Sequence, residues 1–100
     1  MPRALTVSRV RVRRGSEREY LDAIGALAQL AEAHGWHLWL FRSPSDPELF
    51  LECSESRNQE SHRTRAQRPE DEQRLEDRLR AVAAYEPGAW EVWVEVKGET

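Results

Sequence analysis

Eight side chains in this sequence have types that could act on a small molecule: Arg9, Arg11, His37, Trp39, Phe41, Asn58, His62 and Trp93. His62 stands in a polar stretch, where a neutral imidazole would suit proton abstraction near neutral pH. The competing reading is a solvated histidine on an exposed helix. Asn58 could orient a carbonyl or dioxygen, or simply cap a helix. His37, Trp39 and Phe41 alternate along "WHLWLFR", and together with Trp93 they offer rings that suit a flat polycyclic ligand. The same rings would fill an interface equally well, and His37 also reads as a satisfied structural histidine. Arg9 and Arg11 could grip an anionic group. Alternatively, they pair across strands with Glu91 and Glu95.

Other chemistries are argued against. Cys53 is the single cysteine, so neither an intrachain disulfide nor zinc-ligand spacing is available, and a lone cysteine in a strand is usually inert. Ser54, Ser56 and Ser61 lack a nucleophile-elbow context, and the five glycines are too dispersed for a phosphate loop. With 15 basic and 18 acidic residues the net charge is −3, which lacks the basic excess of a nucleic-acid binder. The basic residues are nearly all arginine and are scattered, as genome base composition would produce. The N-terminus lacks an apolar signal region and no apolar run approaches membrane-spanning length, so the expectation is a cytoplasmic protein without membrane insertion. One hundred residues suit a single domain, 1–100.

The elements that must position these groups follow from periodicity. "ALTVSRVRVR" (4–13) alternates as a strand, with Val10 and Val12 on one face and Val7, Arg9 and Arg11 on the other. Ser16 with Glu19 predicts a capping box. Leu21, Ile24, Ala28 and Ala31, widened by Leu27 and Leu30, predict the buried stripe of a helix that Gly35 stops. His34 in its last turn suits the helix dipole. "WHLWLFR" reads as a strand covered on both faces, with Trp36, Leu38 and Leu40 opposite His37, Trp39 and Phe41. "SPSDP" predicts a five-residue hairpin loop to the strand "ELFLEC", which sets Phe50 and Glu52 opposite Leu49, Leu51 and Cys53. Residues 54–69 read as a polar lid or short helix broken near Pro69. A helix from Glu70 to about Ala84 buries Leu75, Leu79 and Val82. "YEPG" predicts a turn and "AWEVWVEV" a last strand, with Trp90, Val92, Val94 and Val96 facing the helices. The order βαββαβ implies an α+β, ferredoxin-like fold: a four-stranded antiparallel sheet with both helices on one face.

Two helices cover only one face of such a sheet. The other would carry Val7, Arg9, Arg11 and Trp93, plus one of the two faces of strand 36–42. So large an apolar surface exceeds what soluble monomers usually expose, and a homodimer with sheets face to face would cover it. Trp36 and Trp90 are expected under the helices.

"LWLFRSPSDPELFLE", "ESHRTR" around His62 and "EDRLRAV" carry a resemblance over roughly residues 5 to 96. The chain resembles the dimeric α/β barrel superfamily, in particular antibiotic-biosynthesis-monooxygenase-like domains. Closest in likeness is the domain appended to bacterial major-facilitator transporters. Gln59 stands where these domains carry an aromatic residue, Ala66 where many have a second histidine, and Trp39 where a small residue is usual. The resemblance implies a homodimeric, cofactor-independent monooxygenase acting on an aromatic or polycyclic compound in the barrel cavity. His62 would be the base, Asn58 or Arg9 orienting groups, and Trp39 and Trp93 pocket walls. A haem-degrading variant would need an axial histidine, His62 first. The alternative is a non-catalytic homodimeric module that binds a small hydrophobic ligand or regulates a partner.

Overall fold

The computed structural model of the chain describes residues 4–56 and 69–96; Asn58 and His62 lie outside them. The elements are β1 (Ala4–Val12), α1 (Glu17–Ala33), β2 (His37–Arg42), β3 (Leu49–Ser56), α2 (Glu70–Val82), β4 (Ala83–Tyr85) and β5 (Val92–Val94). The sheet runs β2-β3-β1-β4, with β5 also paired to β1, and every pairing is antiparallel. This is the α+β, ferredoxin-like arrangement. The expected single last strand is split into β4 and β5, which share the outer edge of β1.

Alternation in β1 does what period two requires. Ala4, Thr6, Ser8, Val10 and Val12 are buried under the helices, and Leu5, Val7, Arg9 and Arg11 face away. Val10, Val12, Tyr20, Ile24, Leu27, Phe50, Leu79 and Val82 are among the residues that build one core between sheet and helices. Trp36, Leu38 and Leu40 pack against it, so His37, Trp39 and Phe41 belong to the open face. That settles which way strand 36–42 turns.

Several expectations are corrected. Ser16 occupies the N-cap of α1, but its side chain makes no capping bond. Its backbone sits at φ −108°, ψ 12°, outside the extended conformation from which a cap hydroxyl reaches the next turn. The buried stripe of α1 is Tyr20, Ala23, Ile24, Leu27 and Ala31: three expected members hold, while Leu21 is exposed, Ala28 and Leu30 are half-buried, and the stripe is rotated toward Tyr20 and Ala23. The rotation buries the largest ring of the helix, and its hydroxyl finds a partner in the core. Gly35 does terminate α1, at φ +87°.

The hairpin loop is 43–48, one residue longer than expected, because Leu49 N–H bonds to the Asp46 carbonyl and Glu48 N–H to the Asp46 side chain. Residues 54–56 prolong β3 rather than opening a lid. Helix α2 stops at Val82, and Ala83 goes straight into strand, pairing with Val12. The turn expected at "YEPG" is present, at Pro87 and Gly88 ahead of β5, but it interrupts the edge strand rather than preceding its start. The tyrosine ends β4, and residues 86–91 bulge from the sheet before β5 resumes.

Candidate functional site

Cross-strand register assembles the open face in rows. Trp39, Cys53 and Val7 share one row, and Phe41, Leu51 and Arg9 the next. Trp93 on β5 lies opposite Leu5, which in turn pairs with Glu55 and so leads to His37. Neighbouring strands are about 4.8 Å apart, so these side chains form one continuous surface. Its rings are open to solvent in the single chain, Phe41 at 55% and Trp93 at 59% exposure.

A cavity of about 390 Å³ opens on this face. It is lined by Val7, Arg9, Glu91, Trp93 and the 87–89 turn. Its cause is the interrupted edge strand. Glu86 N–H still bonds to the Arg9 carbonyl, at 3.0 Å, and β5 rejoins β1 only at Thr6. Between them the chain makes two tight turns, Ala89 N–H to the Glu86 carbonyl and Glu91 N–H to the Gly88 carbonyl. Gly88 takes φ +87°, and Trp90 takes φ 66°, a left-handed conformation that is uncommon for a bulky residue.

Three contacts hold Trp90 there. Its N–H donates to Ser8 Oγ at 3.1 Å, its ring stacks on Tyr85 at 4.8 Å, and the Arg80 guanidinium lies 4.8 Å over it. Trp90 is thus partly exposed against Tyr85 rather than packed beneath the helices.

Arg9 pairs with Glu86, Nε to Oε1 at 3.3 Å, with both side chains largely in solvent. Arg11 reaches the hairpin loop instead, to Asp46 at 3.0 Å and Glu48 at 4.0 Å. These, rather than Glu91 and Glu95, are the partners the structure gives the two arginines. The Glu48 N–H first, and then Arg11, hold the Asp46 carboxyl below the usual carboxylate range. Arg11 is therefore committed to the loop and does not line the cavity, whereas Arg9 does.

His37 stands at the rim of the sheet, edge-on to Trp39 at 4.5 Å and 3.8 Å from Glu32. Trp39 and Phe41 continue the open face beyond the cavity, across β3. Cys53 lies between Trp39 and Val7, where burial, and then Glu52, push its thiol up and keep it protonated. Among the described residues no group of three or more His, Cys, Asp or Glu is placed to hold a metal ion. Nor is any described helix long and apolar enough to cross a membrane.

Sequence reasoning missed the acidic interior on the other side of the sheet. Glu52 is buried beside Phe50, and its Oε2 accepts from Tyr20 at 2.6 Å and Tyr85 at 2.8 Å. Loss of hydration outweighs the two hydroxyl donors, with Glu76 nearby adding repulsion, so its carboxyl titrates above the usual range. Glu72, only 2% exposed, is in contact with His34 Nδ1 and accepts from Trp36 Nε1 at 3.3 Å. His34 therefore has a specific acidic partner, beyond the helix dipole. The groove walls Glu91 and 87–89 read in the sequence only as a cross-strand ion-pair partner and a turn, not as a site. "PG" beside an aromatic strand was the available signal.

No family model matches the chain, and no curated protein matches it. Solved structures do. SnoaB, a cofactor-independent oxygenase from Streptomyces nogalater, superposes at TM-score 0.76 with 17% identity, covering 100% of this chain and 97% of its own. A conserved protein of unknown function from Bacteroides thetaiotaomicron gives TM-score 0.77 at 15% identity, covering 94% and 98%. A protein assigned as an antibiotic biosynthesis monooxygenase from Bordetella bronchiseptica gives 0.72 at 17%, covering 98% and 99%. The likeness runs the length of both chains while identity is low, so it speaks to architecture. The chain has the ferredoxin-like fold shared by these structures, SnoaB and the antibiotic-biosynthesis-monooxygenase-like protein among them.

Proposed function

We propose that the protein is a small cofactor-independent monooxygenase acting on an aromatic or polycyclic compound, as a homodimer whose open sheet faces meet. The observation that carries this reading is the cavity of about 390 Å³ on the open face, with Trp93 as one wall and Arg9 as another. Its volume lies within the range of small-molecule sites. A second copy laid over the face would cover Trp39, Phe41 and Trp93 and turn the open groove into a closed, dry chamber. The fold shared with a cofactor-independent oxygenase supports the same chemistry.

The reaction needs little from the protein. A base removes a proton from a methylene flanked by two aromatic rings and conjugated through them to a carbonyl. The carbanion gives an electron to dioxygen, and the radicals combine to a hydroperoxide at that carbon. Loss of the second proton and cleavage of the O–O bond leave a ketone and water. The substrate supplies all the electrons, one oxygen atom ends in the product and the other in water, so no redox cofactor is required. In this reading His62 is the base and Asn58 an orienting group, roles that rest on the family resemblance. Trp93 and Val7 hold the rings, and Arg9 stabilises the enolate oxygen.

Dioxygen uptake with anthrone as substrate tests the proposal. One dioxygen consumed per anthrone, above the buffer rate and lost in His62→Ala, is expected. Uptake no faster than buffer defeats the enzyme reading. Binding without uptake would instead identify a non-catalytic ligand-binding module. Sedimentation at micromolar concentration tests the dimer, which fails if only 11.6 kDa species appear.

A further inference from the structure

Among the described residues lining the cavity, Arg9 is the cation and Glu91 the anion of an otherwise apolar groove. The two are not equivalent. The Arg9 partner is Glu86, at 3.3 Å through a single guanidinium nitrogen, and both side chains are about half exposed or more. In the single chain such a bridge contributes at most about 1 kcal/mol and exchanges readily. A ligand carboxylate or phenolate could take the guanidinium in the same way, with the forked geometry that the single-nitrogen contact to Glu86 leaves unused. Glu91 follows the turn on the edge strand. Its N–H is tied to the Gly88 carbonyl, and its Oε2 lies only 3.3 Å from where a Cβ on residue 88 would be, so Gly88 leaves the room in which this carboxylate sits. A carboxylate on that wall repels a second negative group.

We propose that the groove selects planar aromatic mono-anions. The ring lies against Trp93 and Val7, the acidic group displaces Glu86 from Arg9, and Glu91 excludes dianions. This rests on the reading of the cavity as the ligand site and names the substrate class it takes. It also assigns a specificity role to Glu86, outside the groove, as the internal competitor for Arg9.

Isothermal titration calorimetry with 9-anthracenecarboxylate, and with neutral 9-anthracenemethanol as its counterpart, tests the proposal on the full chain. The acid should bind about tenfold more tightly than the alcohol. Arg9→Gln should erase that difference and Arg9→Lys should retain part of it. Because Arg9 lies outside the core between sheet and helices, unchanged circular dichroism is expected for both variants. Glu86→Gln should tighten the acid about threefold and leave the alcohol unmoved, which a purely structural role for Glu86 would not produce. Anthracene-9,10-dicarboxylate should bind wild type weakly and improve in Glu91→Gln.

Equal affinity for acid and alcohol, an acid affinity indifferent to Arg9→Gln, or no binding of either overturns the proposal. Arg9-dependent binding of the acid without dioxygen uptake from anthrone would sink the oxygenase reading alone. Uptake without acid selectivity would sink the selectivity alone.

Discussion

Glu52 makes stability depend on pH with a sign opposite to most carboxylates. Its side chain is 8% exposed, on the helix-facing side of β3, with two tyrosine hydroxyls on one oxygen. Burial raises its folded pKa above the ordinary 4.5. In the window above 4.5 the folded chain therefore holds a proton that the unfolded chain has released, and stability falls as pH rises through that window. The contribution is fully present below the unfolded pKa and is lost as pH passes the folded one. One proton sets a ceiling of about 1.4 kcal/mol per pH unit, which for a domain of this size is about 5 to 10 °C in Tm. Asp46 acts in a separate window and the other direction: its lowered pKa adds stability above 3.8 that is lost as pH falls through the folded value. Thermal melts of wild type and Glu52→Gln from pH 4.5 upward, at one protein concentration, isolate the Glu52 contribution by difference. The wild-type Tm should decline relative to the variant as pH rises. Parallel profiles would refute the reasoning, because they would mean that the hydroxyls of Tyr20 and Tyr85 offset the lost hydration completely.

Removing His34 strips the Nδ1 contact from a carboxylate that is 2% exposed, so His34→Ala should cost about 2 kcal/mol by urea denaturation, with Glu72→Gln in the same chain recovering most of it. Leu79→Ala, at a 2% exposed position between helix and sheet, should cost about 3 kcal/mol in the same assay. Gly88→Ala meets both φ +87° and a 3.3 Å approach to Glu91, and should lower stability by about 1 to 2 kcal/mol. A gain in stability there would show that the 86–91 bulge relaxes into ordinary strand.

The legible parts of the fold were those set by local period. The alternation of β1 and of "WHLWLFR", the glycine at 35 and the two-proline hairpin each signalled their element, and βαββαβ order then implied the sheet. Alternation also placed Trp36 and Trp39 on opposite faces, and packing against Leu27 and its neighbours chose between them. What escaped was set by long-range pairing. Tyr20 looks like a surface residue of a polar helix start until β3 brings Glu52 beneath it, 32 positions later. The burial of Glu72 and Glu76 was not signalled for the same reason, since it depends on how α2 settles against α1 and the sheet. The split of the last strand was hidden because "YEPGAW" satisfies turn chemistry whether it precedes a strand or interrupts one. That interruption creates the groove, so the candidate rings were visible in sequence and the space beside them was not.

A crystal structure of the chain with 9-anthracenecarboxylate tests the central claim most directly, that the Val7–Arg9–Trp93 groove is the ligand site. The account predicts the anthracene ring stacked against Trp93, its carboxylate within hydrogen-bonding distance of the Arg9 guanidinium, and Glu86 turned away. Ligand bound between helices and sheet, or the groove filled by Trp39 and Phe41 of a second copy, would contradict it.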